Sequence, residues 1–260
     1  MNELQVLESI KSRMENLPGH LGFYYKNLVT GFEYGVGEDE AYLAASVIKF
    51  PLYLYVLNEC EKGNMSRDDR LLVTAEEKMP SCGALTLFTG DVEVDIATLC
   101  RLMIDISDNT ATNKLINHCG IDNVNAFLGE MGCKNTVLRR LLFDSVLSAK
   151  GIQNTVCPEE IGSMLEKVYR GEFINEAVSA EVMDTLKKQQ IDHKLNGRLC
   201  DAVPIAHKTG EDDNLSNDVG IIFAKEPFVI CFTGHDTDVY PWEDLIRNAA
   251  WELVKVQEEK

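Results

Sequence analysis

Three short strings hold residue types that could carry out acyl transfer. The first is AASVIKFPLY, residues 44–53, where Ser46 and Lys49 stand three apart in a run otherwise almost wholly apolar. Helical spacing of i and i+3 makes two side chains neighbours. A helix N-terminus favours negative charge, because its backbone N–H groups lack partners. A serine with an amine in reach and donors for a developing oxyanion has what a nucleophile needs. A helix cap beside a snorkelling lysine explains the same pair. S-x-x-K alone is a loose pattern, although it occurs only once in this chain.

The second string is DISDNTATNKLI, where Ser107, Asp108 and Asn109 precede an amphipathic run. All three are ordinary helix caps; they could equally present a hydroxyl and a carboxamide to a cleft. The third is AHKTGEDD, where Lys208, Thr209 and Gly210 end a strand-like run. The plain reading is a strand terminating in a turn. The chemical reading is a cation, a hydroxyl and a residue without a side chain on a strand edge, where a substrate backbone can approach closely.

These strings need elements to bring them together. A helix is predicted over about 2–17, stopped by Pro18-Gly19, and LGFYYKNLVTGFEYGV reads as a hairpin. A helix starts near Ser46, and helical patterns dominate about 50–190. Three strand-like runs follow, AVPIAHK, DVGIIFA and FVICFTGH, then a last helix beginning at Pro241. The expected fold is α/β in the sense of an α+β sandwich. A five-stranded antiparallel sheet is flanked by the two terminal helices and interrupted by an inserted all-helical lobe. The predicted division is 1–45 plus 200–260 for sheet and terminal helices, and 46–199 for the lobe. A site is expected in the cleft between them.

Composition narrows the partners. Of 260 residues 45% are hydrophobic, enough for a sizeable core, and the formal net charge is −17. Nucleic acid and anionic membranes are not expected partners, because phosphate binding needs a basic footprint. No run reaches the length of a membrane span, and MNELQVLESIKSRMENL lacks the features of a signal peptide. The expectation is a cytoplasmic protein as the chain stands, exported if a leader was removed, and a monomer or weak dimer. The eight cysteines form no C-x-x-C pair and read as reduced thiols.

S-x-x-K, S-D-N and K-T-G, in that order and in those element types, are the joint signature of class A β-lactamases and penicillin-binding proteins. The chain resembles these penicillin-recognising serine hydrolases, class A-like members most closely, over about 20–250. MPSCGAL resembles a stretch found in one β-lactamase-like branch and brings Ser81 to the substrate side. The resemblance implies that Ser46 attacks a carbonyl and that Lys49 helps deprotonate it. It implies that Ser107 relays a proton to the leaving nitrogen and that Lys208 polarises Ser107. Asn109 would hold the substrate amide, Thr209 its acid or carbonyl group, and Gly210 would let the substrate approach. The backbone N–H groups of Ser46 and Glu211 would form the oxyanion hole. No metal or organic cofactor is implied, and the substrate is a small molecule, a β-lactam or another amide or ester.

Besides lacking the leader that exported relatives need, the chain as it stands departs from the pattern in two places. Class A enzymes carry a deacylating glutamate in an E-x-x-L-N string, and here NTVLRRLLFDSVLSAKGIQNTVCPEE has leucines in that neighbourhood. Asp144 is the nearest carboxylate, and a loop residue bonding backbone or Arg139/Arg140 is its preferred reading. Acylation machinery is therefore complete and deacylation machinery is not. Secondly, Glu211, Asp212 and Asp213 follow K-T-G, and the next strand offers Ser216 and Asn217 where relatives often have arginine. This favours a substrate neutral or cationic at that end. The expected function is a β-lactamase-like serine hydrolase with slow deacylation. The alternatives are a serine amidase, peptidase or esterase with a non-antibiotic substrate, or a sensor that is acylated without turnover. His207 could tune Lys208, or point to the other side of its strand.

Overall fold

Strand FVICFTGH is apolar on both faces, so it needs cover on both. The computed structural model, which describes residues 2–260, supplies it. The chain begins with α1 (Glu3–Met14), β1 (His20–Asn27), β2 (Glu33–Val36) and β3 (Tyr42–Leu43), then a single 3₁₀ turn over Ala45–Ile48. Next come α2 (Lys49–Glu61), β4 (Arg70–Val73), β5 (Val92–Asp95), α3 (Ile96–Asp105), α4 (Asn109–Cys119), α5 (Ile121–Glu130), α6 (Ser145–Ala149), β6 (Thr155–Val156), α7 (Pro158–Tyr169) and α8 (Glu176–Leu186). The chain closes with β7 (Ile205–Asp212), β8 (Leu215–Ile222), β9 (Phe228–His235) and α9 (Val239–Glu258).

The main sheet has five strands in the order β2-β1-β9-β8-β7, every neighbouring pair antiparallel. Side chains alternate between its faces. Phe23, Tyr25, Phe228, Ile230 and Phe232 pack with Leu7 and Ile10 of α1 and with Trp242 and Ile246 of α9. Tyr24, Ala206, Val219, Val229 and Cys231 face the other way, into a core that takes in α7 and the lobe. The fold is thus the expected α/β arrangement, with both terminal helices on one face. In α2 every residue from Lys49 to Leu57 is buried, so this helix runs through the core of the lobe.

Local chemistry sets the ends. Asn2 and Gln5 form a capping box on α1, each side chain accepting from the other's backbone N–H at 2.9 Å. That helix stops at Met14, before the predicted 17. The strand carrying Lys208 does not end at Gly210 as predicted. β7 continues to Asp212, pairing Thr209 with Asp218, Gly210 with Asn217 and Glu211 with Ser216. The turn falls one step later, where Asn214 takes a left-handed φ of 54°, a conformation asparagine tolerates. Two ribbons were not expected, β3 with β6 and β4 with β5. Among the described residues no helix is long and apolar enough to cross a membrane.

Candidate active site

The nucleophile candidate sits on strained backbone. Ser46 lies in the 3₁₀ turn and Lys49 is the first residue of α2. Ala45, just before Ser46, has φ +41°, uncommon for a residue with a Cβ. Asn217 of β8 clasps this segment. Its Nδ2 donates to Leu43 O at 2.9 Å and Ala44 O at 3.1 Å, while its Oδ1 accepts from Gly234 N at 2.9 Å. Gly210 backs the same turn from β7. A Cβ there would stand 3.0 Å from Ala44 O and 3.2 Å from Ser46 N, a tight approach that favours glycine.

Ser107 is also left-handed, at φ +57°. Asp108 fixes its loop, with Oδ1 accepting from Ala111 N and Oδ2 from Leu85 N, both at 2.9 Å. Asn109 donates through its backbone to Cys82 O at 3.2 Å and through Nδ2 to Pro80 O at 3.3 Å. The S-D-N loop and the segment around Ser81 are therefore laced together. Asp108 is a structural residue here, buried and capping α4.

Two buried amines meet at Ser107. Lys49 Nζ donates to Ser107 O at 2.7 Å, Ser107 Oγ at 2.8 Å and Asn109 Oδ1 at 2.8 Å. Lys208 Nζ donates to Ser107 Oγ at 3.2 Å and Thr209 O at 3.0 Å. Burial holds the Lys49 amine well below the usual lysine range, and the nearby Lys208 charge pushes it further down. Burial also brings Lys208 down to about 7, with the Lys194 charge adding to the effect. An amine lacking its proton can act as a base.

A cavity of about 600 Å³ opens over these groups. Ser46, Ser81, Ser107, Asn109, Thr209 and Glu211 line it, while Lys49 and Lys208 are wholly buried. The predicted site residues thus converge from the 3₁₀ turn, the lobe and β7. Its volume falls within the range of small-molecule sites.

The wall where a glutamate was sought is Leu142-Phe143-Asp144, and all three line the cavity. Leu142 is clasped by Asn113, which accepts from Leu142 N at 2.8 Å and donates to Leu142 O at 3.0 Å. Asp144 caps α6, its Oδ1 accepting from Leu147 N at 2.9 Å. Arg140 bonds instead to Ile152 O, Gln153 and Leu141 O.

The residues after K-T-G correct two expectations. Ser216 and Asn217 do not face a substrate; Ser216 Oγ donates to Glu243 at 2.9 Å, and Asn217 holds the nucleophile segment. Nor is Glu211 an uncompensated carboxylate. Lys194, fully buried in the segment before β7, lies 3.0 Å from Glu211 Oε1 and also donates to Asn217 O and Gly210 O. Asp212 and Asp213 remain exposed and line the cavity. His207 pairs with buried Asp218 at 2.8 Å. Lys194 went unseen because DHKLNGR reads as a solvated turn; a buried lysine has no sequence signal of its own.

The sequence matches the model of the Beta-lactamase enzyme family over residues 5–257. A β-lactamase of Rhodobacter capsulatus is 26% identical over 249 residues, covering 94% of this chain and 83% of the relative. A β-lactamase structure from Sphaerobacter thermophilus superposes with a TM-score of 0.88 at 22% identity, covering 100% of this chain and 99% of the other. A leucine-to-glutamate mutant of PBP-A, solved as its acyl-enzyme complex with penicillin G, gives 0.86 at 26% identity, covering 99% and 97%.

Proposed function

The chain belongs to the beta-lactamase enzyme family, and from that premise we propose that it is a serine hydrolase whose acyl-enzyme on Ser46 is long-lived. The carrying observation is the pair of amines on either side of Ser107 Oγ. In its neutral form Lys49 keeps two N–H bonds, to Ser107 O and Asn109 Oδ1, and turns its lone pair to a hydroxyl. Ser46 Oγ bonds to the substrate carbonyl carbon as its proton passes to Lys49. The carbonyl oxygen gains the negative charge and accepts from the N–H groups of Ser46 and Glu211. As the C–N bond breaks, Ser107 delivers its proton to the leaving nitrogen and regains one from Lys49. Lys208 stabilises the oxygen of Ser107 throughout.

Release of the acyl group needs a water activated by a base. Leu142 occupies the clasped wall position, and the carboxylate of Asp144 is engaged as a helix cap. The ester on Ser46 therefore outlasts its formation. The penicillin G acyl-enzyme of the PBP-A mutant supports a β-lactam or related amide as substrate. The exposed Asp212 and Asp213 favour a natural substrate neutral or cationic at that end, such as a non-antibiotic amide.

The test is a time course of intact-protein mass after adding benzylpenicillin, with Ser46→Ala in parallel. The expected result is one adduct on the wild type that persists after free drug is removed, and none on S46A. An adduct that decays rapidly would overturn slow deacylation; an adduct on S46A would overturn the nucleophile.

A further inference from the structure

We propose that His193, Glu211 and Glu243 form a binding site for a zinc-class divalent metal ion beside the cleft. One donor atom from each lies within 4.8 Å of the other two. His193 Nε2 is 3.5 Å from Glu211 Oε1 and 3.6 Å from Glu243 Oε1. Two ligands bound at about 2.0–2.2 Å to a tetrahedral ion stand about 3.3–3.5 Å apart, so these two edges are already set to within a few tenths of an ångström. Three protein ligands leave a fourth position for water. One imidazole and two carboxylates suit zinc and its neighbours in the first transition row rather than magnesium or calcium.

The ligands come from three elements, the segment before β7, β7 itself and α9, so no sequence spacing betrays them. A supporting shell is present. Ser216 Oγ donates to Glu243 Oε1 at 2.9 Å, and Arg247 Nη1 donates to Glu243 Oε2 and to His193 O, each at 3.4 Å. Such outer contacts fix ligand orientation. Lys194 is the competing cation, 3.0 Å from Glu211 Oε1. Arg247 also approaches Asp244 at 3.8 Å, so the charge facing the cluster is two cations against three carboxylates, two of them ligands. His193 and Glu211 are each about half exposed, at 50% and 47%, giving an ion a way in.

The test is calorimetric titration with Zn²⁺ alone in mildly alkaline buffer. A Cys82→Ser/Cys200→Ser background is used, because these two thiols are exposed and could bind zinc themselves. One site is expected, weakened at least about tenfold by His193→Ala and by Glu243→Gln. With Co²⁺ as probe, the visible bands of a four-coordinate ion without thiolate absorption are expected. Because Glu243→Gln also disturbs Ser216, the half-exposed His193→Ala is the deciding variant. No binding, or binding unchanged in H193A, would overturn the site, and neither outcome bears on acylation of Ser46.

Discussion

Asn217→Ala tests whether the nucleophile is held by the sheet. The substitution deletes three buried hydrogen bonds, two to the carbonyls of Leu43 and Ala44 and one from Gly234 N. At about 1 kcal/mol each, the loss is about 3 kcal/mol. For a chain of this size each kcal/mol moves Tm by about 2–4 °C, so a drop of roughly 6–12 °C is expected. The effect on chemistry is separable. Ala45 at φ +41° stores of order 1–3 kcal/mol, which persists only while neighbours enforce it. Once the clasp is gone the turn relaxes, and recovering the reactive geometry costs that energy again. Acylation of Ser46 should slow by about 10- to 100-fold, since 1.4 kcal/mol is a factor of ten. The assay pairs urea unfolding with the acylation rate, measured by intact mass well below the variant's Tm. Ile246→Ala, fully buried in the core behind the sheet, is the control, with a loss of about 2–5 kcal/mol and no change in acylation. If N217A loses stability yet acylates as fast as I246A, the clasp does not position Ser46.

Three more outcomes follow from the site. Leu142→Glu puts a carboxylate on the clasped wall, and the lifetime of the penicilloyl adduct should shorten by about 10²–10⁴-fold; an unchanged lifetime in a folded variant would refute the account of slow release. In Lys208→Ala the charge that helps lower Lys49 is gone, so the Lys49 pKa rises and the ascending limb of acylation against pH moves to higher pH. A limb that stays in place while the rate falls would mean that Lys49 is not the base. Charge reversal at the cleft, Asp212→Lys with Asp213→Lys, should speed acylation by benzylpenicillin and make the rate more salt-dependent; no change would remove the electrostatic argument for a neutral or cationic substrate.

What could be read beforehand was contiguous. Ser46 with Lys49, Ser107 with Asn109 and Lys208 with Thr209 each lie within one string, and the apolar run FVICFTGH reads as a strand. What could not be read depends on partners distant in sequence. Glu211-Asp212-Asp213 looks like a turn because three acids are poor strand formers, yet pairing with β8 carries β7 through to Asp212. Asn217 looked available to a substrate, but the pleat turns it inward to the segment before Ser46. Lys194 has the composition of a solvated turn and is instead buried against Glu211, Gly210 and Asn217. In each case the deciding neighbour lies on another element.

The strand order also dictates when the protein can become active during synthesis. β1 pairs with β9 from His20–His235 to Asn27–Phe228, so the middle of the sheet joins opposite ends of the chain. Until β9 leaves the ribosome, β1 lacks its second partner and the apolar face of the β1–β2 hairpin lacks α9. Lys208, Gly210 and Asn217 arrive with β7 and β8, so Ser46 acquires its clasp and its second amine only once those strands have been made. An unfinished chain therefore carries the serine without the surroundings that would make it reactive.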